Sequence, residues 1–215
     1  MKRSTIFIFS AVVLGGLFLL ATVLYRGGTD ARAMGEANQA LLVRMHSPTL
    51  GPQDAKVHIV EFLDPACEAC RAFYPFVKQL MAANPGRIKL TVRHVPFHKG
   101  ADSVVKLLEA SKKQGKYWPT LEAVLASQPQ WAINHQARIE LLWSHLEGIG
   151  LDLEKLRTDM NAPEIEGNMK QDQVDAAALK VEKTPEYFVN GRRMETFGYE
   201  QLRKLVQEEL ARSYR

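Results

Sequence analysis

The chain holds only two cysteines, and they stand together as Cys67-Glu68-Ala69-Cys70. A strand-like run precedes the pair and a helix-like run follows it. A thiol at the start of a helix faces aligned backbone N–H groups and the positive end of the helix dipole, so its thiolate is favoured. The thiolate is the form that attacks disulfides. The pattern therefore points to thiol–disulfide exchange. Cys67 falls in the first helical turn and reads as the accessible, attacking sulfur. Cys70 falls on the apolar stripe and reads as the shielded, resolving one.

Other uses of the pair fit less well. A static staple across so short a loop restricts the unfolded chain little. Zinc usually takes four ligands, and no second cysteine pair exists. His46, His58, His94 and His98 are scattered, so they read as surface or packing histidines, and no metal site or cofactor is expected. Copper(I) accepts fewer ligands and favours thiolates, which keeps a copper(I)-handling module on the same cysteines as an alternative. Covalent haem is excluded, because Arg71 stands where the attachment motif needs histidine.

The elements that must position the pair can be read from periodicity and punctuation. Ala40–His46 is a short strand candidate. Lys56–Leu63 alternates as a strand, with Val57, Ile59, Glu61 and Leu63 on one face. Asp64-Pro65 offers an N-cap and a first-turn proline. The following helix places Cys70, Phe73, Val77 and Leu80 on one stripe, with Pro75 inside it and Asn84-Pro85-Gly86 ending it. Ile88–Val95 is a second strand.

From Lys99 to about Leu179 the pattern is helical, with helices expected over Ala101–Gln114, Trp118–Ala126, Ala137–Ile149, Leu153–Asn161 and Glu164–Leu179. Trp118, Trp131 and Trp143 read as packing residues of this block. Asn190-Gly191 is a hairpin turn signal between Tyr187–Val189 and Arg192–Glu195. Tyr199–Ala211 closes the chain as an amphipathic helix. The class is α/β, a βαβ unit and a ββα unit separated by helices.

With these elements in order, residues 40–213 resemble the thioredoxin superfamily, in its DsbA-like branch. Glu61 stands six residues before Cys67, and Pro75 eight after it. Gln114-Gly115-Lys116-Tyr117-Trp118 is similar to a segment of the branch's helical insertion. Thr184-Pro185, before a strand and an Asn-Gly turn, is similar to the family's cis-proline loop. The resemblance implies a thioredoxin-like fold with an all-helical insertion. A first thioredoxin-like part would span 40–98, the insertion 99–180 and the second part 181–215.

It also implies Cys67 and Cys70 as the exchanging pair and Glu61 as a buried acid that relays the Cys70 proton. Thr184 and Pro185 would form the loop that faces the sulfurs and pairs with a bound peptide. Glu68, Ala69 and Arg71 would tune the potential. Glu68-Ala69 lacks the proline or histidine common in strongly oxidising members, which leaves a reducing thiol donor for cytochrome or metal-site maturation as a further alternative.

The start of the chain bears on location. Lys2-Arg3 precede an uncharged run from Thr5 to Tyr25. That length suits a membrane span of about 20 residues better than a shorter signal-peptide core. Residues 1–25 therefore read as an anchor or signal, residues 26–39 as a tether, and the rest as exported. The expected setting is the periplasm, with anchorage to the inner membrane through residues 5–25. Expected partners are exported cysteine-containing proteins and a DsbB-like or DsbD-like membrane redox protein. The formal charge is +4, of which Lys2, Arg3, Arg26 and Arg32 against Asp30 supply +3. A nearly neutral folded part gives no argument for nucleic acid.

Overall fold

A computed structural model describes residues 39–215. The run from Thr5 to Tyr25 and nearly all of the tether lie outside these residues. Among the described residues, no helix is long and apolar enough to cross a membrane.

A five-stranded sheet forms the centre, in the order β1-β3-β2-β6-β7. Its strands are β1 (Thr49–Leu50), β2 (Val57–Leu63), β3 (Ile88–His94), β6 (Glu186–Val189) and β7 (Arg192–Arg193). β2 runs parallel to β3 and antiparallel to β6, so it is central and covered on both faces. Its alternation divides the core. Val57, Ile59 and Leu63 join the larger apolar cluster, and Val60 and Phe62 join the smaller one on the opposite face. Glu61 takes its place among the residues facing the larger cluster, as period-two geometry requires.

The connection from β2 to β3 is α1 (Glu68–Ala82), which encloses Pro75. Cys70, Phe73, Tyr74, Val77 and Leu80 are its buried residues. Removing side chains of this kind from water stabilises a fold by about 1.5–3 kcal/mol each. The stripe therefore fixes how α1 sits and, with it, where Cys70 points. After β3 come α2 (Ala101–Lys112), α3 (Tyr117–Ala126), α4 (Gln128–Trp131), α5 (Leu153–Asp159) and α6 (Pro163–Ala178). α7 (Tyr199–Ser213) closes the chain. Trp131 is fully buried and donates from Nε1 to the Val124 carbonyl at 3.0 Å.

The mixed sheet, with helices between β3 and β6, is the α/β arrangement that the resemblance implies. Three local expectations change. The strand placed at Ala40–His46 is not one: residues 39–42 are helical and the strand is Thr49–Leu50. Leu42 is fully buried in the smaller core, while Arg44 and His46 turn to α6 carboxylates. The helix expected over Ala137–Ile149 is instead two 3-10 turns, Ile139–Leu141 and Trp143–Leu146.

Between α4 and those turns lies a short ribbon, β4 (Ala132–Ile133) and β5 (Gln136–Ala137). The block between β3 and β6 is thus helical apart from this ribbon. The ribbon's turn residues Asn134 and His135 both have positive φ, 52° and 58°. The Asn190-Gly191 turn between β6 and β7 forms as its sequence requires, with φ of 47° and 82°.

Candidate active site

Cys67 is the N-cap residue of α1, in extended backbone conformation, and Glu68 opens the helix. Cys70 sits one turn in and has no exposed surface, whereas Cys67 retains 7%. The sequence reading placed Cys67 in the open. It is more covered than that, because the Thr184–Pro185 segment lies against it. The Cys67 Sγ donates to the Thr184 carbonyl at 3.2 Å, and the Thr184–Pro185 bond is cis.

The two thiols have opposite electrostatics. The Cys67 thiol is held down at about 6, chiefly by its hydrogen bond with the Cys70 thiol. Burial opposes this, while the Thr184 side chain and the backbone N–H groups of Cys70 and Ala69 add to it. Cys70 is pushed well above the ordinary thiol range by burial first, then by Cys67 and the charge of Glu61. At neutral pH the pair therefore presents one thiolate, on the sulfur with residual exposure.

Glu61 is fully buried, and neither carboxyl oxygen has a hydrogen-bond partner among the described residues. Burial pushes its carboxyl up to about 8; the neighbouring Tyr187 hydroxyl draws it back somewhat, and Cys67 adds to the rise. Glu61 and Tyr187 are cross-strand partners between β2 and β6. A carboxyl in this state carries a proton near neutral pH, and once ionised it lies close enough for its charge to raise Cys70.

Asp64 does not cap α1. Its side chain accepts from the Ala66 N–H at 2.8 Å and then reaches across to another loop. There it accepts from the N–H of Phe97 at 2.7 Å, the N–H of His98 at 2.8 Å and His98 Nδ1 at 2.8 Å. The Asp-Pro signal was that of a cap, but nothing local in the sequence marks the 97–98 amides as competing donors.

Gln128, on α4, was not singled out either. Its Nε2 donates to the carbonyls of Pro65 and Cys67 at 2.8 and 3.0 Å. Its Oε1 accepts from Arg71 Nε at 3.1 Å. Arg71 is thereby directed to Gln128. Glu68 is exposed at the mouth of the site, and Ala69 contributes its amide. The structure thus brings Cys67, Cys70, Glu61 and Thr184 together and adds Asp64, His98 and Gln128 as positioning residues.

Comparison with known proteins agrees with this architecture. A family model described as Thioredoxin matches residues 44–208. A thioredoxin-like oxidoreductase from Silicibacter pomeroyi superposes with a TM-score of 0.68 at 28% identity, over 80% of this chain and 95% of that one. A probable disulfide bond formation protein D of Bacillus anthracis is 27% identical over 205 residues, 90% of this chain and 91% of that protein. A Na(+)/H(+) antiporter NhaA of Herminiimonas arsenicoxydans is 31% identical over 144 residues, 67% of this chain. This chain spans 22% of that antiporter's length. The fold and the paired thiols define a thioredoxin-like oxidoreductase. This chain belongs to the thioredoxin family.

Proposed function

We propose that this chain is a thiol–disulfide oxidoreductase that passes a Cys67–Cys70 disulfide to cysteines of exported proteins. The observation that carries the reading is the contrast within the pair: a Cys67 thiol at about 6 beside a fully buried Cys70 held far higher. A substrate thiolate attacks Cys67 Sγ, the S–S bond breaks, and the electron pair leaves on Cys70. A bare thiolate on buried Cys70 is costly, and protonated Glu61 gives it a proton. A second substrate thiolate then attacks the mixed disulfide and releases Cys67, the better thiolate and so the better leaving group. The substrate loses two electrons to form its disulfide, and the cysteine pair gains them.

Thr184 and Pro185 face the attacking sulfur, and the Thr184 contact at 3.2 Å supports a role for this segment in receiving substrate. Glu68, Ala69 and Arg71 surround the pair and set its potential. The uncharged Thr5–Tyr25 run supports tethering to an inner membrane with the described residues in the periplasm. The pair would be reoxidised by a DsbB-like membrane protein, and a DsbD-like partner would serve the reducing direction. We take 40–98 and 181–215 as the exchanging lobe and 99–180 as its insertion.

The test mixes the oxidised full chain with a reduced, unfolded protein that needs disulfides, and follows loss of substrate thiols. The wild-type chain oxidises one substrate dithiol per pair. Cys67→Ser abolishes transfer, and Cys70→Ser, given the disulfide-bonded form of the substrate, accumulates a mixed disulfide as the Cys67 thiolate attacks the substrate S–S bond and releases the second substrate thiolate. Undiminished transfer by the Cys67→Ser chain would remove the reading.

A further inference from the structure

Three side chains from three separate elements converge at the mouth of the cysteine site. Glu68 opens α1, His98 lies in the loop after β3, and His135 stands at the tip of the β4–β5 ribbon. One ligand atom from each lies within 4.8 Å of the others. The His135 Nδ1 to Glu68 Oε1 separation is 3.6 Å. Tetrahedral zinc bonds of about 2.0–2.1 Å place neighbouring ligand atoms about 3.4 Å apart. The observed separation is therefore near that of a ligand edge. Glu68 and His135 have side chains 55% and 77% exposed, which leaves them room to close the remainder.

The third ligand is pre-oriented. The buried Asp64 carboxylate accepts from His98 Nδ1, and also holds the backbone N–H of His98. This fixes the tautomer and leaves the Nε2 lone pair free to bind. A carboxylate behind a histidine in this way is the usual outer partner of a metal-bound imidazole.

The ribbon is also fixed to the His98 loop. Lys99 forms a bridge with Gln136, and the Ala137 N–H donates to the Lys99 carbonyl at 2.9 Å. Gly100 allows this approach: a Cβ there would meet the Ala137 carbonyl oxygen at 2.5 Å. His135 itself occupies the left-handed region at φ 58°, which a non-glycine residue adopts at some cost. The backbone thus ties the loop that carries His98 to the ribbon that carries His135.

We propose that Glu68, His98 and His135 form a binding site for a divalent transition-metal cation of the zinc type, with its fourth position open to water. Two imidazoles, one carboxylate and an open position make a three-ligand set that zinc accepts. The site uses neither cysteine sulfur as a ligand. A dication bound there would sit at the residue next to Cys67, so its charge would bear directly on that thiolate.

The experiment uses the full chain with Cys67→Ser and Cys70→Ser, so that no thiol can bind metal. Zinc ion is titrated against a chromophoric chelator. The expected result is one equivalent bound, weakened about 10- to 100-fold or more when His135→Gly or Glu68→Gln is added. His135→Gly suits a residue at positive φ, and an unchanged circular dichroism spectrum and melt would show that the ribbon stays folded. Zinc bound equally well by the His135→Gly and Glu68→Gln chains, or no competition with the chelator by the parent chain, would overturn the proposal and leave an ordinary surface ion pair.

Discussion

Glu61 is the residue whose chemistry depends most on its place in the fold. Its carboxyl is raised to about 8 from an ordinary 4.5, mainly by burial. A native pKa above the unfolded one means that the folded state binds the extra proton. The stability linked to Glu61 is therefore full below about pH 4.5 and lost as pH rises through about 8. Glu61→Gln removes this loss while keeping the shape. The expected outcome is a chain that melts higher than wild type at pH 8 and equally at pH 4, with slower disulfide transfer because Cys70 loses its proton source. Calorimetry at the two pH values checks the first part and stopped-flow thiol release the second. The same residue shows what sequence can reveal. Glu61 was legible because one carboxylate interrupts an apolar alternation. Asp64, His98 and Gln128 were not, because their meaning lies in partners 34, 34 and 61 positions away.

At the scale of elements, β2, β3, β6 and α1 were readable because period and punctuation agree there, whereas β1 was not. The 139–146 segment was not. Its apolar residues suited a helix, yet it follows a ribbon whose pairing with Lys99 sets the chain direction, and only 3-10 turns form. Gly100 is the position on which that docking depends. It has φ 80°, and a methyl group there meets the Ala137 carbonyl oxygen at 2.5 Å. Gly100→Ala should destabilise the chain by about 1–3 kcal/mol, combining left-handed strain with the displaced carbonyl. Hydrogen exchange should show the loss first at the Ala137 amide. A Gly100→Ala chain with wild-type stability would mean that the ribbon is not held by this approach.

Across the whole molecule, the order β, α, β, helices, hairpin, helix was visible in the sequence, and so was the fold class. What joins the layers was not visible. Arg93 has no exposed surface and pairs with Asp172 and Asp175 of α6 at 2.8 and 2.6 Å. Arg44 reaches Asp175, and His46 reaches Asp172, both at 2.6 Å. No sequence period announces such a cluster. It makes the molecule sensitive to acid. Burial lowers His94 from 6.5 to about 3, and His58 from 6.5 to about 4. Asp175, although burial opposes it, is held at about 2 from 3.8 by Arg44 and Arg93. In all three the unfolded chain takes up protons first, so stability falls as pH falls. The melting temperature should decline from about pH 6.5 through the histidine range, then more steeply below about pH 4 as Asp175 loses its pairing. A flat profile from pH 6.5 to 3 in a calorimetric series would contradict this.

The central claim is that Cys67 and Cys70 form an exchanging pair whose reduced state is stabilised by the Cys67 thiolate. The measurement that tests it most directly is the reduction potential of the full chain equilibrated against glutathione buffers. A thiol at about 6 lies between the values of about 7 and about 3.5 found in thioredoxin and DsbA. The corresponding potentials are about −270 and −120 mV, and the predicted value falls between them. A value below about −300 mV would mark a structural bond and contradict the account.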